Sequence, residues 1–424
     1  MEKNISDDFF STIRPLFYIS RALGLAPFVY VKKTLPGGRI SQRFECNSAA
    51  FTYSVFVAVL TTFSFSCSII LKATLVYSEM TSIDRIPDIV LSALSIGCTV
   101  SLILSLTKNR NKILRIFFLI QELDSILLKN PGKYYRKGRV FVIFQLTIAL
   151  SFLGFVITYD SIIWTLAVGV KNFAYIHLYL DIVIGWIVVI QFMNFVIILR
   201  DRFSLLNIHL SRLSNIFGIR NPNEGVYQPV LKFIKIKQNK SKLTEEVVLN
   251  LNNIHDVLCD TSLLVTSAYE IQLLLTLIST FVSMVTWLYF GLIYFYRYVS
   301  GYNTLVGVWN LVVSDMLWCL KHLAKLLCIT VPCHLANNEM RQTSVVIRKL
   351  HFVARHDSGT LAELDRFSQH VSLRQFKFTA FGFLNLDLSL LMSMLGAVAT
   401  YLVILMQFKI SDKSSSSCCK NVTE

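Results

Sequence analysis

Residues 173–199 read FAYIHLYLDIVIGWIVVIQFMNFVIIL, and Asp181 is the one formally charged side chain among them. As a helix this stretch is about 40 Å long, enough to cross the roughly 30 Å hydrocarbon core of a bilayer. Runs of similar character recur along the chain. Reading for length and apolarity places seven spans near 49–71, 87–107, 140–160, 173–199, 271–295, 304–331 and 378–408. The composition agrees, with 54% hydrophobic and only 16% charged residues in 424, against about 25% charged in soluble domains. The expected fold is an all-α polytopic membrane protein with seven transmembrane helices.

The basic residues set the orientation. Of the 39 Lys and Arg outside those spans, 32 fall in the first, third, fifth and seventh connecting segments. Since Lys and Arg beside spans favour the cytosol, these segments are expected inside, which makes the N-terminus cytosolic and the C-terminus extracellular. The net charge of +15 is spread between spans rather than along one soluble face, so it points to membrane orientation and not to nucleic acid. Met1–Phe10 carries Glu2, Asp7 and Asp8 without a following apolar core, so no cleaved signal peptide is expected. The tail sequon Asn421-Val422-Thr423 is a glycosylation candidate on the expected outer side.

The expected organisation is a cytosolic N-terminus over 1–48, a six-helix bundle over 49–377, a broken seventh helix over 378–408 and an extracellular tail over 409–424. Segments 108–139, 200–270 and 332–377 are long and partly helical in pattern, and are expected to extend the spans into a cytosolic anchor region. Val247, Leu251, Ile254 and Leu258 lay an apolar stripe on a helix entering the fifth span. Residues 218–243, with Asn221-Pro222-Asn223, Gly225, Pro229 and several lysines, read as a linker. The nine cysteines form no metal-spaced pairs and the eight histidines are scattered without HExxH, so neither a cofactor, a metal nor catalysis is expected.

Gly382, Asn385 and Asp387 interrupt the last apolar stretch where a break or N-cap fits, so the pore-type helix is expected from about 387. At 100° per residue, Ser389, Ser393, Gly396, Ala397, Thr400, Tyr401, Ile404, Gln407 and Phe408 share an arc of roughly 140°, and Leu391, Met394, Leu395, Val398, Leu402 and Leu405 lie opposite. A small and polar face in lipid suits either close packing against another helix or a pore lining in an oligomer. Periodicity alone leaves both open.

The string Thr400-Tyr401-Leu402-Val403-Ile404-Leu405-Met406-Gln407-Phe408 resembles the C-terminal signature of the insect gustatory receptor family. Phe17-Tyr18-Ile19-Ser20 with Ala26-Pro27-Phe28, Pro332-Cys333-His334-Leu335-Ala336 and Phe378-Thr379-Ala380-Phe381-Gly382-Phe383 are similar to that family as well. The C-terminal third looks most like its broad-function branch, and the N-terminal string also resembles its fructose-receptor branch. The resemblance implies a ligand-gated, non-selective cation channel in the plasma membrane, in the dendrites of sensory neurons. It implies a homotetramer, or a heterotetramer with related receptors, embedded in membrane lipid. The stimulus would be a small-molecule tastant, a sugar or a bitter compound. Gln407 and Phe408 would form the constriction, Ile404 would lie one turn deeper, and Thr400 and Tyr401 would support the helix.

A ligand from outside needs aromatic surface with sparse polar groups among the outer halves of the spans. Tyr159, Asp160, His177, Asp181, Trp287, Tyr294, Trp309, Asn310 and Asp315 are the candidates. Asp315, Trp318, His322 and Lys325 share a face of the sixth span, either as a self-contained polar patch or as a link from ligand to pore. A G-protein-coupled receptor is the rival by helix count. Asp201-Arg202-Phe203 imitates its Asp-Arg-Tyr element but follows the fourth span, and the charge pattern inverts the topology. A secondary transporter would show repeated halves, and no long internal repeat is visible.

Overall fold

The computed structural model describes residues 5–34, 40–77, 82–128, 131–217, 240–299, 306–354, 358–374 and 376–420. Seven of its helical segments are long and apolar enough to cross a membrane: Ser48–Val76, Asp88–Leu106, Pro131–Leu166, Asn172–Leu213, Thr244–Tyr296, Gly307–Val353 and Leu388–Gln407. Each contains or overlaps one expected span, and the chain is a multi-pass, nearly all-helical membrane protein. Below, the base is the end of the bundle that holds the N-terminal helix, and the top is the opposite end.

At the base, α1 (Ile5–Ala22) precedes an antiparallel hairpin of β1 (Phe28–Thr34) and β2 (Ile40–Cys46). The apolar face of α1, Phe9, Phe10, Ile13, Leu16 and Phe17, is buried at helical spacing. Phe10 stacks on Tyr30 at 3.7 Å and Phe44 on Phe117 at 4.4 Å, which joins the hairpin to α1 and to α5 (Lys108–Leu127). Gly138 lets α1 approach α6 (Pro131–Val168), for a Cβ there would meet Thr12 Cγ2 at 2.9 Å. The hairpin is absent from the hydropathy reading because its short strands carry Lys32, Lys33, Arg43 and Glu45 among their apolar residues.

The first crossing is α2 (Ser48–Leu71), capped by Asn47 and continued by a π-helical turn, Lys72–Val76. The second is broken at Ser95 into α3 (Ser82–Leu94) and α4 (Ile96–Leu106), so interruption is not confined to the last span. A 3-10 segment, Gly169–Tyr175, leads from α6 into α7 (Ile176–Phe217). That helix is the axis of the fold: Ile187, Val188, Val189, Ile190, Phe192 and Val196 are all at most 2% exposed, the signature of a helix apolar all round.

Three helices run far past a bilayer's width: α7, α8 (Lys240–Val299, 60 residues) and α9 (Val306–Val353, 48 residues). Their lower halves, with α10 (Ser358–Leu373), build the expected bundle at the base. Leu251, Ile254 and Leu258 of the predicted stripe are buried there. Asp124 and Arg202, 0% and 2% exposed, form a two-pronged pair at 2.8 and 2.7 Å; Tyr135 donates to the same carboxylate and Arg202 donates to the Tyr134 hydroxyl. Arg202 therefore ties α7 to α5 and α6. The predicted linker lies outside the described residues up to 239 and is helical from Lys240.

The stretch before the last helix differs from expectation. Residues 378–387 are not a helical half but a tight hairpin, with β3 (Thr379–Ala380) paired to β4 (Leu384–Asn385). Phe381 and Gly382 turn at φ 53° and 73°, and Phe383 N–H donates to Ala380 O at 3.1 Å. Two successive positive φ values are what a type I′ turn requires. The expected cap is in place: Asp387 Oδ1 accepts from Ser389 N–H at 3.0 Å, Leu390 N–H at 3.2 Å and Ser389 Oγ at 2.6 Å, and α11 (Leu388–Lys420) begins there.

Candidate functional site

Between α6, α7, α8 and α9, toward the top, the chain buries a group of polar side chains around Asp160. Its carboxylate is 5% exposed and accepts three hydrogen bonds: Ser314 Oγ at 2.7 Å, Trp318 Nε1 at 2.8 Å and Tyr179 OH at 2.9 Å. A charge in a span costs about 2.5–3.5 kcal/mol on insertion scales, and three donors offset much of that by replacing water. The helical interval from Ser314 to Trp318 puts both donors on one face of α9.

Trp318 is also the centre of an aromatic stack. Its indole lies parallel to Trp287 of α8 at 5.2 Å and 11°, and Lys321 Nζ sits 4.0 Å from its ring, within cation–π range. Asp315, 3% exposed, interacts electrostatically with Asp160. Among the described residues, Asp315 Oδ2 and His322 Nδ1 are buried without a hydrogen-bond partner. Gly291 makes room beside Asp315, since a Cβ there would stand 3.8 Å from Asp315 Oδ2 and 2.8 Å from Met316 Cε. The result is aromatic surface with an unused acceptor, an unused ring nitrogen and a lysine in one buried place.

Three of the nine expected pocket residues meet there: Asp160, Trp287 and Asp315. His177 and Asp181 lie 3.2 Å apart on another face of α7, with the His177 ring 5.1 Å from Phe65 of α2. Tyr159 stacks on Phe155, itself 56% exposed, Tyr294 stacks on Phe290, and Trp309 is 48% exposed beside Tyr298. Asn310 is half-buried. Tyr179, Ser314 and Lys321 join the site without having been expected. The i, i+4 interval from Ser314 to Trp318 is in the sequence; that α6 turns Asp160 toward it is not. A separate groove of about 380 Å³ lies between the lower parts of α7 and α9, beside Asn207, Arg212, Glu339 and Gln342.

The last helix rests on α8 and α9 by its greasy side, where Met394 and Val398 are 9% and 3% exposed, and by Leu390, 8% exposed near the edge of the polar arc. Of the opposite, small and polar arc, Ser389, Ser393, Gly396, Thr400, Ile404 and Gln407 are exposed. Nothing lies within 4 Å of a Cβ built on Gly396. Tyr401 marks the edge, its ring 5.8 Å from Phe281 of α8 while 53% of it is exposed. Apart from Tyr401 at this edge, no helix among the described residues covers the exposed residues of this arc. Phe408 and Asn421 lie outside the side chains described.

A family model described as 7tm chemosensory receptor matches residues 13–412. The chain belongs to the 7tm chemosensory receptor family. The receptor is 37% identical over 100 residues to the gustatory receptor for sugar taste 43a of Drosophila melanogaster, a match covering 22% of each chain. It is 32% identical over 92 residues to the gustatory and pheromone receptor 32a of the same organism, covering 22% of this chain and 19% of the relative. These matched stretches are less than a quarter of either relative's length. Its fold matches that of the insect olfactory receptor OR5 from Machilis hrabei at TM-score 0.61 and 15% identity, over 93% of this chain and 97% of the other. For OR5 in complex with eugenol the TM-score is 0.65, over 95% and 99%. The receptor is thus of a chemosensory family rather than an enzyme family, and the resemblance read from the last helix holds along nearly its whole length.

Proposed function

We propose that the receptor is a ligand-gated, non-selective cation channel of the plasma membrane, in which α11 of several copies lines a central path and a small tastant binds around Trp287, Trp318, Asp160 and Asp315. The observation that carries this reading is the exposed arc of α11. Thr400 donates its hydroxyl to Gly396 O and Ser389 to Asp387, but Ser393 and the Gln407 amide, exposed on a membrane-crossing helix, are costly against lipid, and among the described residues no helix of the same chain covers them. A water-filled path shared with other copies accommodates them. Gln407 and Phe408 form the narrow end, Ile404 the turn below, and Thr400 and Tyr401 hold the helix.

The buried site supports the ligand half of the reading. Stacked indoles bind apolar faces, and Asp315, His322 and Lys321 are placed to exchange hydrogen bonds with a ligand that reaches them. The bound eugenol reported for OR5 shows that a protein of this fold takes a small aromatic molecule. A sugar or a bitter compound is the tastant class proposed here, and the base, rich in Lys and Arg, faces the cytosol with the C-terminal end of α11 outside.

The test is expression of this chain in cells without related receptors, with recording from excised patches in nucleotide-free solution during a panel of sugars and bitter compounds. Unitary cation currents of picoampere size evoked by a panel member are expected. Responses that need G protein or nucleotide, or a saturating flux without unitary steps, would replace the channel by a coupled receptor or a transporter.

A further inference from the structure

Two neighbouring helices at the base carry exposed cations. On α1, Arg14, Tyr18 and Arg21 fall within about 60° of one another at 100° per residue. Arg14 and Tyr18 are exposed, Arg21 is half-buried, and the Arg14 guanidinium lies 5.5 Å from the Tyr18 ring. On α6, Lys133, Arg136 and Lys137 are exposed and share a face, about 120° wide, with Val140, Phe144, Ile148 and Phe155. The helices touch, Thr12 Oγ1 donating to Tyr135 O at 3.0 Å. Among the described residues, none of the five cations is in an ion pair.

Their depth follows from what continues above them. Val140 and Phe144, 61% and 63% exposed, begin an apolar face on a helix of membrane-crossing length, so that face meets hydrocarbon. The three cations at its lower end stand where hydrocarbon gives way to headgroups. The end of α1 reaches the same layer, because Tyr53 OH, in the second turn of α2, donates to Ala22 O at 2.8 Å. In that layer phosphate is the ready source of negative charge for an unpaired cation. Cations three and four residues apart on a helix are neighbours and repel one another. A headgroup with several phosphates offsets all of them together, which a headgroup with one does not.

We infer that Arg14, Tyr18 and Arg21 of α1, with Lys133, Arg136 and Lys137 of α6, bind the headgroup of a polyphosphorylated phospholipid in the leaflet at the base. The guanidinium groups take phosphate oxygens in pairs and the lysines act as point charges, while the acyl chains lie along Val140 and Phe144. A lipid held there fastens α1 to α6 beside the entry of the first crossing. The binding depends neither on the pore reading nor on which side of the membrane the base faces.

Photo-cross-linking of the purified full chain tests this in phosphatidylcholine vesicles that carry phosphatidylserine and phosphatidylinositol bisphosphate in both leaflets. Tyr18→benzoylphenylalanine reports the site, and Phe155→benzoylphenylalanine, exposed further up α6, reports the bulk composition of the vesicle. A several-fold excess of the bisphosphate lipid is expected among Tyr18 adducts relative to Phe155 adducts. Adding Arg136→Gln and Lys137→Gln is expected to bring that ratio down to the bulk value. Arg136→Lys with Lys137→Arg, which keeps the charges, should preserve it, and so should Arg341→Gln with Lys349→Gln, at exposed cations of α9. Equal shares of the bisphosphate lipid at Tyr18 and Phe155 would overturn the inference. So would phosphatidylserine enriched as strongly, an excess that survives Arg136→Gln with Lys137→Gln, or no lipid adduct at Tyr18 while Phe155 reacts.

Discussion

Asp160 is the residue on which the buried site turns, because three donors from two helices converge on one carboxylate. Asp160→Ala leaves Trp318 Nε1, Ser314 Oγ and Tyr179 OH without an acceptor, at about 1–3 kcal/mol for each buried orphan. A large drop in thermal unfolding temperature and in surface expression is expected, whereas Asp160→Asn, which still accepts, recovers most of both. Arg202 makes the opposite kind of point. Its Asp-Arg-Phe context suggests a G-protein receptor element, yet its guanidinium is taken up by Asp124 and the Tyr134 hydroxyl inside the base. Arg202→Ala strands the Asp124 carboxylate, a change that typically costs about 3–5 kcal/mol. The purified variant is expected to unfold at clearly lower temperature, while Arg200→Ala, whose side chain is 36% exposed, shifts it little.

Among the elements, α11 was the most legible in sequence. Its small and polar arc and the greasy side opposite follow from spacing alone, and Asp387 reads as a cap from its type and place. What spacing did not show is the hairpin before it, because residues 378–383 are as apolar as a helix and the turn depends on two positive φ values, only one of them at glycine. The cap should be measurable. Asp387→Ala is expected to lower stability by about 1 kcal/mol and to fray the first turn of α11, read as faster amide exchange at Ser389 and Leu390, and Asp387→Ser to restore most of it. The Ser389 hydroxyl, then the backbone N–H groups of Leu390 and Ser389, hold the Asp387 carboxyl below its usual range. Its contribution is therefore complete at neutral pH and is lost only as acidification passes through that lowered pKa. The N-terminal hairpin was illegible for another reason: it is held by aromatic contacts to the neighbouring α1 and to α5, far along the chain, which no local pattern records.

For the molecule as a whole, seven crossings and a helical base were readable because a bilayer forces long apolar helices and the charges between them alternate. The ligand site was only partly readable. Sequence gives the depth of Asp160, Trp287 and Asp315, but the rotation of each helix decides what meets, and α7 turns Tyr179 toward the site and His177 away from it. The account stands or falls with water along α11. The most direct measurement replaces Ser393, Thr400, Gln407 and Val398 singly by cysteine and follows their modification by a small aqueous thiol reagent, with and without an activating panel compound. The account predicts rapid modification at Ser393, Thr400 and Gln407, faster in the active state, with Val398 protected throughout. Equal protection of all four in both states would contradict it.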